Sequence, residues 1–147
     1  MPRMMKVLFL TIGLVVLGSI LLIEFQASAP KPRIEGGSLS KALDSLDERM
    51  KEKIQALNKT LTEKEGLSKP LFSGQSIRFE GQVFEATVTD AWDRLPRRQK
   101  EMVLKVILEN YRNSRQQRLK ENNEPTIIFI ENGRKVAVHT VLEDIIH

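Results

Sequence analysis

Apolar and polar positions alternate with different periods along this chain, and each period predicts a different element. From Val7 to Ile23 there is no period at all: 17 uncharged, overwhelmingly apolar positions follow Arg3 and Lys6 and stop at Glu24. At about 1.5 Å per residue, a helix of that length just crosses the hydrocarbon core of a bilayer. Residues 1–24 therefore read as a single-pass transmembrane anchor whose first partner is the lipid bilayer.

A cleavable signal peptide has similar parts, here a basic start, an apolar stretch and the small triplet Ala27-Ser28-Ala29. The run is longer than the usual apolar stretch of about 7 to 15, and Pro30 stands where the new N-terminus would form. Both features favour a retained anchor. Arg3 and Lys6 balance Lys31 and Arg33 across it, so the short positive tail decides the orientation, with the N-terminus cytoplasmic and residues 24–147 outside the cytoplasm.

Residues 25–37 carry prolines, glycines and small polar residues without an apolar period, which predicts a flexible linker. Over 38–66 the pattern becomes helical. Leu39, Leu43, Leu46, Met50, Ile54, Leu57 and Leu61 recur at steps of four and three, with charged residues between them. Ser38 or Ser40 suits the start of this amphipathic helix and Gly66 its end. Members of the stripe also recur 11 residues apart, the repeat of a straight or slightly right-handed supercoil. Two uses compete: the stripe makes a coiled-coil-like homo-oligomer, or it folds back as part of the following domain's core.

Residues 70–147 predict a small α+β domain. Ile77, Phe79, Phe84, Ala86 and Val88 alternate with polar residues around Gly81, as in a strand or hairpin. Asp93 to Lys120 has the broad apolar face of a long helix, built from Val103, Leu104, Ile107, Leu108 and Tyr111, with Pro96 in its first turn and Trp92 plugging the core before it. Thr126 to Ile130 is a run of β-branched and aromatic residues, Asn132-Gly133 is a strong hairpin turn, and Val136 to Val141 is the returning strand. The lack of alternation in the first of these strands implies cover on both faces. Val141 to Ile146 predicts a short terminal helix that supplies one cover. The expected fold is α+β, an antiparallel or mixed sheet packed on one long helix.

Charge narrows the function. The chain is +4 overall, and the main helix concentrates the excess, with nine basic residues against three acidic ones in 28 positions. Arg94, Arg97, Arg98, Lys105, Arg112 and Arg115 are the candidate partner-binding face. Without cysteine there is no thiolate chemistry, and no phosphate loop, serine elbow or dinucleotide fingerprint is present, so an enzyme is not expected. His139, Glu143 and His147 would share one face of a helix at intervals of four, but His139 ends a strand pattern and His147 is the last residue of the sequence. Neither a metal nor a cofactor is expected. Nucleic acid is unfavoured, because Trp92 and Tyr111, the aromatic residues near the basic ones, both have core readings.

The sequence therefore suggests a membrane-tethered, non-catalytic binding or assembly module, an accessory subunit or adaptor of a membrane protein complex. The alternative is a secreted or periplasmic ligand-binding or chaperone-like domain released by signal-peptide cleavage.

Overall fold

The computed structural model describes residues 39–147, which belong to one compact unit. The anchor over Val7–Ile23, the linker over 25–37 and the cap at Ser38 lie outside the described residues. Among the described residues no helix is long and apolar enough to cross a membrane.

Helix α1 spans Leu39–Glu65. Its stripe of Leu46, Met50, Ile54, Leu57 and Leu61 is buried, because the 3.6-residue period keeps these side chains on one face. That face packs on the long helix α3 (Arg97–Leu119) and on strand β1 (Phe72–Arg78). Five of the seven stripe residues are thus used inside the chain, whereas Leu39 remains half exposed and Leu43 lies at the margin. Of the two uses of the stripe, the structure shows burial in the domain's own core.

Strand β1 forms an antiparallel hairpin with β2 (Val83–Val88). After α3 comes β3 (Thr126–Glu131), which runs parallel to β2. Strand β4 (Arg134–His139) returns antiparallel to β3 through the Asn132-Gly133 turn, where both residues take the positive φ that a tight hairpin requires. The sheet is mixed and its order is β1-β2-β3-β4-β5.

Two features correct the sequence-based picture of the main helix. Its first turn is a separate short helix, α2 (Ala91–Arg94), and the chain is extended at Leu95 before restarting at Arg97. Pro96 causes the break, since its ring disfavours helical backbone in the preceding residue. In addition, the sheet packs on two long helices rather than one. Gln75, which shares a rung with Ala86, reaches Asp47 of α1, while the ring of Phe84 meets Tyr111 of α3 at 5.0 Å.

The expected terminal helix is instead a strand, β5 (Asp144–Ile146), paired antiparallel with β4 at the sheet edge. The Thr140 hydroxyl accepts the backbone N–H groups of Leu142 and Glu143, turning the chain sharply enough for pairing to begin. The tail therefore does not cover the second face of β3. Ile128 packs on that face in a row with Glu85, Val138 and Ile145.

Candidate functional site

Helix α3 carries most of the candidate residues, and the chain's own carboxylates divide them. On its approach, Arg94 reaches Asp90 at 3.4 Å, and Arg97 pairs with Glu101 at 3.1 Å; all four side chains are largely in solvent. Pairs this exposed contribute little and leave the cations accessible. Arg98 and Lys105 are exposed, with no hydrogen bond or ion pair to any described residue.

The C-terminal half of α3 behaves differently. Arg112 is held by Glu109 at 2.8 Å and by Glu124 at 2.5 Å. Arg115 is only 1% exposed and is matched by Glu121, 3.0 Å from Nη2 and 3.1 Å from Nε. The chain leaves α3 through the left-handed residue Lys120 and folds Glu121 and Glu124 back against the helix. Arg115 is thus a core cation of this domain, and it does not face a partner.

The structure does not unite His139, Glu143 and His147. With β5 in place of a helix, His139 lies opposite Asp144, and His147 lies three rungs away beside Val136, about 10 Å along the sheet. Among the described residues no three His, Asp or Glu side chains are placed to hold a metal ion.

His139 has a different set of neighbours. Its Nε2 is 2.8 Å from Glu124 Oε1 and its Nδ1 is 2.5 Å from Asp144 Oδ1. An imidazolium donates to both carboxylates, whereas a neutral ring donates to only one. Glu124 loses stability as an anion through burial, yet hydrogen bonds from Arg112 and His139 outweigh that cost and hold its pKa below the ordinary carboxylate value. The network ties α3, the loop before β3, β4 and β5 together. Nothing in the sequence links Arg112, Glu124, His139 and Asp144, since their separations follow no helical or strand period.

Beside this network, α3 and β5 form the walls of an open groove of about 410 Å³. Leu104, Leu108 and Ile146 supply its apolar lining, and Arg97, Glu101, Lys105, Glu109 and Asp144 its charged rim. The chain matches no known protein family, no curated protein and no solved structure. Its chemistry must be read from this surface alone. The rim thus carries two cations, Arg97 and Lys105, and three carboxylates; Arg97 pairs with Glu101, Glu109 shares Arg112 with Glu124, Asp144 meets His139, and Lys105 has no ion pair among the described residues.

Trp92 is fully buried, with its ring edge-to-face on Phe129 at 5.4 Å and Lys100 Nζ 5.4 Å from its centroid. Its place is in the core, as its position ahead of the long helix implied.

Proposed function

We propose that this protein is a membrane-tethered, non-catalytic binding or assembly module, an accessory subunit or adaptor that presents its α+β domain outside the cytoplasm. The uncharged, overwhelmingly apolar run of Val7–Ile23 supports the tether. The observation that carries the binding role is the pair Arg98 and Lys105, exposed beside Arg97 on the N-terminal half of α3 just after Arg94 of α2, and without an ion pair among the described residues. Unneutralised cations concentrated on one rigid helix steer and orient an acidic partner surface, and confinement to a membrane raises the encounter rate with a neighbouring subunit.

The test is co-purification of the tagged full-length chain from gently solubilised native membranes. The expected result is a membrane-protein partner in constant ratio, lost when Arg94, Arg98 and Lys105 are all changed to Glu while the circular dichroism spectrum is preserved. A partner retained by the triple variant would remove the basic face from the reading. Recovery of the chain alone in a soluble fraction that begins at Pro30 would replace it with a secreted ligand-binding or chaperone-like domain.

A further inference from the structure

Leu39, Phe79, Val141 and Leu142 are exposed by 50%, 71%, 76% and 90%, and all four lie at one end of the domain. The strand registers bring them there. The β1–β2 turn, with Phe79, stands at the start of β2, and β3 begins at the same end because it runs parallel to β2. Strands β4 and β5 then alternate in direction, so the β4–β5 turn, with Val141 and Leu142, returns to that end. The two turns are three strand positions apart, roughly 14 Å at the usual spacing. Leu43 of α1 and Leu119 of α3 both approach Gly81 in the first turn, which places Leu39 and the C-terminus of α3 at this end as well. Among the described residues, the opposite end, with the Asn132-Gly133 turn and the start of α3, exposes no large apolar side chain.

Phe79 is held in place at a conformational cost. Its φ is +52°, and Glu80 and Gly81 follow at +54° and +86°, left-handed backbone that a bulky aromatic residue rarely adopts. Gln82 N–H donates to the Phe79 carbonyl at 3.0 Å and fixes the turn. Strained backbone beneath an exposed ring is a feature of contact sites, since the domain alone gains nothing from it. The charges at this end balance. Outside the ion pairs, Lys41, Arg118 and Lys120 stand against Asp44, Glu80 and Glu143, and Arg49, which also meets Arg118, has Glu52 beside it. Arg78 pairs with Glu85 and lies over the Phe79 ring. The end is therefore apolar at its tips and close to neutral between them.

We infer that this end of the domain rests on the lipid bilayer, with Phe79, Val141, Leu142 and Leu39 inserted at the level of the headgroups of zwitterionic lipid. The inference rests on the membrane tether proposed above. Chain connectivity selects this occupant: residues 24–38 join the apolar run to Leu39, and a chain of that length reaches no more than about 50 Å even at full extension. The end that carries Leu39 is thus the end that the anchor brings to the bilayer. Separate apolar tips on a flat end suit a yielding lipid interface, where each side chain inserts independently. Arg98 and Lys105 then stand roughly 30 and 20 Å from Leu119 along α3, clear of the bilayer and open to a partner.

The chain has no cysteine, so single labels can be placed at will. Leu142→Cys marks the apolar end, and Ser68→Cys marks the exposed loop before β1 at the opposite end. Each full-length variant carries a nitrobenzoxadiazole label and is reconstituted in phosphatidylcholine vesicles containing lipid with a nitroxide at acyl carbon 5. The label at 142 is expected to be quenched at least about threefold more than the label at 68, and Phe79→Ser, at an exposed position, is expected to lower quenching at 142 roughly threefold. Replacing a quarter of the lipid with phosphatidylserine should leave both values unchanged. Equal quenching at 142 and 68 would overturn the inference, and so would quenching confined to anionic vesicles. A blue shift at 142 that follows the protein-to-lipid ratio without nitroxide quenching would also overturn it, since the occupant would then be a second copy. Flotation separates this contact from the tether: a chain that floats with the vesicles while 142 behaves like 68 keeps the tether and loses the contact, whereas a chain that does not float loses both.

Discussion

The side-chain amide of Asn58 hydrogen-bonds both backbone groups of Phe72, with Nδ2 donating to the carbonyl at 2.8 Å and Oδ1 accepting the N–H at 2.9 Å. It does for the first residue of β1 what a neighbouring strand would do, and so fastens the sheet edge to α1. Asn58→Ala leaves both groups of Phe72 unpaired, and Asn58→Asp sets a carboxylate against the Phe72 carbonyl. Each is expected to destabilise the domain by about 1–3 kcal/mol, read from urea unfolding midpoints. A midpoint unchanged by Asn58→Ala would show that water replaces the clamp without loss.

The sequence announced the helices and the β3–β4 hairpin because local periodicity and the Asn132-Gly133 turn act over a few residues. It did not announce the clamp, because Asn58 is one polar residue at the border of the apolar stripe, and its partner Phe72 lies 14 residues away. The tail misled for a related reason. Val141, Leu142, Ile145 and Ile146 are spaced like one helical face. Tertiary pairing with β4, begun by the Thr140 turn, outweighs that local pattern. In the candidate site, the number of basic residues on α3 was legible. Which of them face outward was decided by Glu121 and Glu124, which return from the following loop.

Tyr111 links α3 to the β1–β2 turn, its hydroxyl donating to the Gly81 carbonyl at 2.5 Å. Burial pushes the hydroxyl's pKa well above its ordinary 10.0. The unfolded chain ionises this group near the ordinary value and the folded chain does not, so its contribution is complete below pH 10 and is lost as pH rises toward the folded value. Tyr111→Phe is expected to cost about 1 kcal/mol at neutral pH and to flatten the decline of stability between pH 9 and 11, measured by urea unfolding (roughly the range over which an unshifted tyrosine titrates).

Gly81 itself has φ +86°, and an added Cβ would lie 2.5 Å from Leu119 Cδ1 and 3.3 Å from Leu43 Cδ2. Leu119 ends in a movable methyl, but the backbone angle remains unfavourable for any side chain. Gly81→Ala is therefore expected to lower stability by more than about 1 kcal/mol. A thermal midpoint equal to that of the parent chain would show that the turn relaxes to accept a Cβ.

Glu124 gives the domain an acid-sensitive joint. In the unfolded chain it takes up a proton near its ordinary value of 4.5; in the folded chain Arg112 and His139 keep it charged to lower pH. Its contribution is present above pH 4.5 and disappears as pH falls through the folded value. Glu124→Gln is expected to make the loss of stability on acidification shallower, and to loosen β5 through the chain from Glu124 to His139 to Asp144. Amide hydrogen exchange at Ile145, whose N–H faces β4, reads the second effect directly.

Arg115 and Glu121 test how this domain tolerates a charge in its core. The guanidinium is almost wholly enclosed, and its Nη1 has no hydrogen-bond partner among the described residues, so Glu121 is the principal compensation for its burial. Removing the acid strands the cation, whereas replacing the cation with an unbranched apolar side chain removes the desolvation cost along with the pair. Glu121→Ala is expected to destabilise the domain by about 3 kcal/mol, toward the lower end for a broken buried pair because Glu121 is itself partly in solvent. Arg115→Met is expected to cost less than half as much. Combining the two substitutions should recover most of the loss caused by Glu121→Ala, since no buried charge is then left alone. Additive losses in that double-mutant cycle would show that the two side chains act independently.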